Sequence, residues 1–123
     1  MGPDKPLKSN VTEDRRWCAG ITGTGAADPT KRFGPNITVT RTATGVYKFT
    51  FSKNPGYFKG FKVGFGADTP ADVKGFTCTR DTFITTDNVY SVSLSVWNGS
   101  ATAANLEALQ YLDVEFQFSE SGT

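Results

Sequence analysis

The stretch Ile37-Thr-Val-Thr-Arg-Thr-Ala-Thr-Gly-Val-Tyr-Lys-Phe-Thr-Phe51 decides the fold class of this 123-residue chain. Apolar and polar residues alternate on both sides of the Ala43-Thr44-Gly45 connection, and a period of two is typical of half-buried β-strands. A short connection that ends in glycine between two such runs indicates a tight hairpin. The stretch therefore predicts two antiparallel strands, each with one apolar face.

The same alternation recurs four times towards the C-terminus. The apolar positions of these runs are Phe61, Val63 and Phe65; Phe76 and Cys78; Tyr90, Val92, Leu94 and Val96; and Leu112, Val114, Phe116 and Phe118. Turn sequences such as Asn54-Pro55-Gly56 separate the runs. Six strands at about ten-residue spacing predict an all-β, antiparallel sandwich or barrel over residues 36–123. Residues 101–109 are the only segment with a helical pattern, and it is too short for more than one or two turns.

Residues 1–35 differ in composition from the rest of the chain. They hold four of the six prolines and several glycines, without periodicity. Such a segment predicts an extended N-terminal arm that orders against a partner. Within it, the apolar piece Trp17-Cys18-Ala19-Gly20-Ile21 can dock as one strand or as an anchor.

The composition argues against an enzyme. The chain has no histidine, so Ser-His-Asp triads, Cys-His dyads and His-based metal sites cannot be built from it. Its two cysteines are too few for a Cys-only zinc site. Asp113 and Glu115 lie two residues apart on one strand and can resemble a paired carboxylate, although solvated acids on an outward strand face are far commoner. We therefore expect no catalytic residue, no metal and no cofactor.

The formal net charge of +1 conceals two oppositely charged halves. Residues 1–62 hold 11 Lys/Arg against four Asp/Glu, which gives +7, and residues 63–123 hold two against eight, which gives −6. Paired strands from the two halves can neutralise one another, or the polarity can guide docking between copies or onto a larger partner. Nucleic-acid binding is the weakest alternative, because the basic residues are scattered and form no run.

The chain shows no membrane or secretion signal. No stretch approaches the roughly 18 apolar residues that a transmembrane helix needs, and the start Met1-Gly-Pro-Asp-Lys-Pro6 has no apolar core of a signal peptide. We expect synthesis in a cytosol, no membrane partner, and reduced thiols at Cys18 and Cys78.

Two aromatic residues are candidates for surface binding. Trp97 shares its strand parity with Ser91, Ser93 and Ser95 and is therefore expected to point outward. An outward tryptophan beside small hydroxyls can stack on a sugar ring or fill a pocket of a neighbouring subunit, or it can end the strand and fold over an edge of the core. Tyr57, after the Asn-Pro-Gly turn, offers a second such platform.

Three parts of the chain resemble a module common in tailed-bacteriophage virion proteins. A strand ends in Thr40-Arg41, a small turn contains Gly45, and Val-Tyr-Lys-Phe-Thr-Phe follows. Val92-Ser-Leu-Ser-Val-Trp-Asn-Gly-Ser-Ala-Thr-Ala-Ala-Asn-Leu106 is similar to that family's strand, Asn/Ser loop and Ala-rich segment, and Leu112-Asp-Val-Glu-Phe-Gln-Phe-Ser119 is similar to its final strand. The resemblance covers about residues 36–121 and leaves the arm unmatched.

The resemblance implies a non-enzymatic capsid decoration (cement) protein that binds the major capsid protein of a shell and stabilises that shell. It implies a jelly-roll-like or related sandwich, self-association as a homotrimer, and a place on the virion surface after synthesis in the host cytoplasm. The arm residues expected to contact the shell are Arg15, Arg16, Trp17, Lys31, Arg32 and Phe33. The alternative is a head- or tail-fibre adhesin or carbohydrate-binding module that uses Trp97 and Tyr57.

Overall fold

The computed structural model describes residues 14–67, 74–80, 90–98, 102–108 and 110–119, and these form nine β-strands and no helix. The strands are β1 Asp14–Thr22, β2 Thr30–Phe33, β3 Ile37–Ala43, β4 Val46–Phe51, β5 Tyr57–Ala67, β6 Lys74–Arg80, β7 Tyr90–Asn98, β8 Thr102–Ala103 and β9 Gln110–Ser119. The six strands expected from the alternating runs are β3 to β7 and β9.

The strands form two antiparallel sheets packed face to face. The four-stranded sheet has the order β2-β1-β9-β5, and the five-stranded sheet has the order β3-β4-β7-β6 with β8 added to β7. Every pairing between neighbouring strands in these sheets is antiparallel. The expected all-β sandwich is confirmed.

Strand β9 is an inner strand of the four-stranded sheet, where it pairs with β1 on one side and with β5 on the other. Side chains at alternate positions of a strand point to opposite faces. Leu112, Val114, Phe116 and Phe118 of β9 accordingly face the other sheet and are buried. Asp113 and Glu115 point to the outer face, as expected of solvated acids on an alternating strand.

Four phenylalanines hold the two sheets together. The ring centroid of Phe116 on β9 lies 5.0 Å from that of Phe49 and 5.6 Å from that of Phe51 on β4, both edge to face. Phe118 packs against Phe51 in the same way at 5.3 Å. Burial of each large apolar side chain contributes about 1.5–3 kcal/mol, and edge-to-face geometry adds about 0.5–1.5 kcal/mol for a pair.

Residues 14–33 belong to the sandwich, whereas the sequence pattern predicts an arm over residues 1–35. Strand β1 pairs with β9 along its whole length and buries Ala19 and Ile21 completely. Trp17 packs edge to face against Phe51, with ring centroids 5.2 Å apart. The glycine-rich loop and exposed β2 that follow weaken the periodicity, which is why the composition suggests an arm. Residues 1–13 lie outside the described residues.

Because β1 and β2 lie within the predicted arm, removal of that arm would disrupt the sandwich. Removal of residues 1–35 would delete two of the four strands of one sheet, with the fully buried side chains of Ala19 and Ile21. The sequence allows residues 17–21 to dock either as one strand or as an anchor. The structure shows them as part of strand β1.

A short irregular segment closes one end of the sandwich, where the sequence favours a helical turn. Leu106 is fully buried, and its amide donates a 2.7 Å hydrogen bond to the Tyr47 hydroxyl. The Asn105 side-chain oxygen accepts hydrogen bonds from the Gly45 amide at 2.8 Å and from Arg41 Nε at 2.9 Å. These bonds replace the local bonds of a helix and tie the segment to the β3–β4 hairpin.

Gly45 is required at that hairpin for two reasons. Its φ is +70°, in the left-handed region that glycine adopts readily. A Cβ at this position would also lie 2.8 Å from the backbone of Ala104 and from the Val96 carbonyl oxygen. The glycine that signals the hairpin in the sequence therefore also allows the closing segment to approach.

We expect Phe116→Ala to lower the free energy of unfolding by about 3–5 kcal/mol, because it leaves a cavity between the sheets. Urea denaturation measures this loss. Thr38→Val, at an exposed position on the outer face of β3, is the matched control and should change stability by less than about 0.5 kcal/mol. Equal effects of the two substitutions would contradict the inter-sheet role of Phe116.

Candidate docking face

The outer faces of the two sheets differ in chemistry. The outer face of the five-stranded sheet carries mostly hydroxyl side chains, which are Thr38, Thr40, Thr50, Thr77, Ser91, Ser93 and Ser95. The outer face of the four-stranded sheet carries aromatic and charged side chains between glycines. We call this second surface the docking face.

Three large hydrophobic side chains of the described residues are exposed, and all three lie on the docking face. Tyr57 is 48%, Phe33 44% and Tyr111 37% exposed. Tyr111 alternates with the buried Leu112, and Tyr57 precedes the inward Phe58, so both point outward. Exposed aromatic side chains gathered on one sheet face are typical of a surface that binds a partner.

Arg32 joins two of these aromatic residues into one cluster. Its guanidinium carbon lies 5.6 Å from the ring centroid of Phe33 and 5.6 Å from that of Tyr111. The same group forms an ion pair with Asp113 and donates a 3.3 Å hydrogen bond to the Leu112 carbonyl oxygen. The cluster is therefore held in one arrangement.

Glycines make the surface beside this cluster open and flat. Gly64 lies opposite Asp113 in the register of β5 and β9, and a Cβ there would meet no atom within 4 Å. Gly20 lies under the Phe33 ring, where a Cβ would come within 2.2 Å of it. An open groove of about 460 Å³ results, and it is lined by Cys18, Phe33, Lys62, Val63, Gly64, Asp113, Val114 and Glu115.

The structure brings some of the expected site residues to the docking face. Arg32 and Phe33 form its cluster, Tyr57 lies on β5, and Arg16 lies in register with Gln117 on the outer side of β1. Arg15 is exposed at the start of β1 and reaches the same end of the sheet.

Three other expected residues lie elsewhere. Trp17 points inward and packs on the core. Lys31 donates hydrogen bonds from Nζ to the carbonyl oxygens of Gly34 and Ile37, at 3.0 and 2.6 Å, and so braces the turn before β3. Trp97 points outward as expected, but from the five-stranded sheet, so it cannot share one ligand-binding face with Tyr57.

The sequence pattern misses Tyr111 and the role of the glycines. Tyr111 lies one residue before the recognised alternating run, at the parity of Asp113 and Glu115, so its outward direction could have been deduced. The glycines of β5, which have no explanation in the sequence, alternate with inward residues. A Cβ at Gly60 or Gly64 would meet no atom within 4 Å, whereas the Tyr111 ring covers Gly66. The clustering of Phe33 with Tyr111 could not be deduced, since it depends on the β1–β2 pairing.

The described part of the chain offers no set of metal ligands. Among these residues no three Cys, Asp or Glu side chains come together in a way that could hold an ion. In the same residues no helix is long and apolar enough to cross a membrane.

The two cysteines are free. One lies on the outer face of its sheet, and the other lies on the inner face of the other sheet. Cys18 is exposed and lines the groove of the docking face. Cys78 is half-buried on the inward face of β6 and packs against the core. Burial raises the pKa of the Cys78 thiol from 9.0 to about 12.

We expect alkylation by iodoacetamide at pH 8 to label Cys18 rapidly and Cys78 very slowly. A pKa of about 12 instead of 9.0 reduces the thiolate fraction of Cys78 roughly a thousandfold, and the thiolate is the reacting species. Mass spectrometry should find one label in the folded protein and two in urea. Equal labelling of both cysteines in the folded protein would contradict the inward position of Cys78.

Comparison of the chain with protein-family models, with curated proteins and with solved structures finds no match.

Proposed function

We propose that this protein is a non-enzymatic decoration protein that binds the outside of a phage capsid through its docking face and stabilises the shell. The observation that carries the proposal is the collection of Phe33, Tyr57 and Tyr111 on one sheet face. Folding does not account for their exposure, because the inner faces of both sheets already form the core.

The size of the docking face supports a protein partner. Three strands of about ten residues and the four-residue β2, spaced about 4.8 Å apart at 3.3 Å per residue, span roughly 500 Å². A stable protein interface takes about 800 Å² from each partner. With its flanking side chains, the docking face approaches that area. The groove alone is open and is lined by both acidic and basic residues.

The proposed setting on a phage shell rests on the sequence resemblance over residues 36–121 and on the charge polarity of the chain. Decoration stabilises a shell by mass action, because each bound copy favours the assembled state over its separated subunits. Where one copy contacts two neighbouring shell subunits, the first contact raises the effective concentration for the second, and the overall affinity increases. The expected homotrimer would multiply this effect and is part of the same proposal.

We expect the double variant Phe33→Ser/Tyr111→Ser to bind shells at least about a hundredfold more weakly, because buried aromatic anchors dominate interface energies. The measurement is co-sedimentation with empty shells assembled from the major capsid protein encoded in the same genome. Circular dichroism and thermal unfolding show whether the variant is folded.

The matched control is Lys48→Gln/Trp97→Ala, which alters the outer face of the other sheet. It should bind shells like the unmodified protein. Normal occupancy by the Phe33/Tyr111 variant, or loss of binding by the control alone, would contradict the proposed face.

A second candidate function is carbohydrate binding at Trp97, and one observation favours it. The indole Nε1 of Trp97 donates a 3.0 Å hydrogen bond to the Thr77 hydroxyl, which fixes the ring on a face rich in hydroxyl groups. Gly75 lies opposite Trp97 in the register and adds no side chain beside it. A fixed aromatic ring among hydroxyls suits the stacking of a sugar.

A glycan array tests this second candidate. If the protein is an adhesin, it should bind at least one glycan on the array. The variant Trp97→Phe should then keep more of the binding signal than Trp97→Ala. Tyr57→Ser is the control, because Tyr57 lies on the opposite outer face. Absence of binding to any glycan, or a signal that Trp97→Ala leaves unchanged, would exclude the role of Trp97.

A further inference from the structure

A small pocket at one end of the docking face is lined by three basic residues and one glutamine. Its volume is about 70 Å³, and its lining residues are Arg15, Arg16, Lys59 and Gln117. It lies where β1, β9 and β5 run side by side near the end of β9. None of the described carboxylates lines it.

The pocket exists because of an irregularity in β5. The register of β5 against β9 shifts between Phe58 and Gly60, so Lys59 is an extra residue in a bulge. A bulge re-aims the side chain at its site, and here Lys59 turns towards Gln117. Gly60, opposite Gln117, contributes no side chain, and a Cβ there would meet no atom within 4 Å.

The electrostatics of the pocket favour an anion. Arg16 approaches from β1 and Lys59 from β5, on the two sides of Gln117. The nearest described acid along β9 is Glu115, which accepts a 3.4 Å hydrogen bond from Gln117 Nε2 and so helps to orient that amide. Guanidinium and ammonium groups bind carboxylates through charge-assisted hydrogen bonds, which are stronger than neutral ones.

We propose that this pocket is an anion site that receives a carboxylate side chain of the docked protein partner. This inference rests on the proposed function, which supplies the protein partner. It specifies that a carboxylate of that partner fills the pocket. The partner surface would carry an Asp or Glu side chain opposite the pocket and an apolar side chain opposite the Phe33 and Tyr111 cluster. The two contacts together fix the orientation of the protein on its partner.

Two features favour a single carboxylate over a nucleic-acid backbone. A volume of about 70 Å³ holds one small group, far below the roughly 300 Å³ of ordinary ligand sites. Glu115 and Asp113 follow the pocket at every second residue of β9 on the same outer face. A polyanion that extends along the face would meet these acids, whereas one carboxylate would not.

The test uses the full-length protein labelled with ¹⁵N and, as the probe, the peptide acetyl-Gly-Glu-Gly-amide, which carries a single carboxylate. We expect the side-chain amide signal of Gln117 and the backbone amide signal of Gly60 to shift, with a dissociation constant on the order of 1 mM. Arg16→Gln/Lys59→Gln should weaken this binding at least tenfold. Lys48→Gln, which removes one cation from the outer face of the other sheet, should not change it.

Three results would overturn the proposal. The first is the absence of peptide-induced shifts at Gln117 and Gly60. The second is unchanged peptide binding by the double variant, whose retained amide spectrum shows that it is folded. The third is binding of a 20-nucleotide single strand or of inorganic phosphate at least tenfold more tightly than the single-carboxylate peptide, which would assign the site to phosphate groups.

Shell binding separates this proposal from the proposed function. If the peptide binds at the pocket but the protein does not bind shells, the anion site stands and the decoration function fails. If shells bind but the peptide does not, the docking face stands and the anion site fails. If both hold, Arg16→Gln/Lys59→Gln should weaken shell binding about tenfold or more in 0.05 M salt, and less in 0.5 M salt, because salt screens exposed charges.

Discussion

Edge-to-face packing between the phenylalanines of β4 and those of β9 is the contact on which the other parts of the structure depend. Phe116 and Phe118 meet Phe49 and Phe51 between the sheets, and the remaining core side chains pack around them. Since β9 also pairs with both β1 and β5, its position sets the register of the four-stranded sheet. The direction of each side chain on the docking face follows from that register.

The alternation of β9 separates the side chains that form the core from those on the docking face. Its inward residues are buried in the core, so the outward residues are free to differ in chemistry without loss of the fold. Tyr111 and Asp113 hold the Arg32 and Phe33 cluster at one end, and Gln117 lies between basic side chains at the other. In the proposed function and the proposed anion site, this sheet face presents its aromatic cluster and its basic pocket to one partner.

Much of the fold follows from local patterns, whereas the site depends on distant pairings. The runs at Tyr47 to Phe51 and Leu112 to Phe118 predict their strands because period-two alternation needs no knowledge of partners. Strand β1 is harder to assign, since Cys18 and Gly20 take outward positions where polar residues would mark the alternation. Its pairing with β9 also spans about a hundred residues of sequence. The clustering of Arg32 with Tyr111 depends on that pairing, and the pocket at Lys59 depends on a bulge that composition does not signal.

Hydroxyl-radical footprinting of the protein, free and bound to shells, tests the central claim most directly, because it reports the solvent exposure of individual aromatic side chains. The account predicts that Phe33, Tyr57 and Tyr111 become protected on binding, while Trp97 on the opposite outer face keeps its reactivity. Protection of Trp97 with unchanged reactivity at Phe33 and Tyr111 would contradict the account and assign binding to the five-stranded sheet.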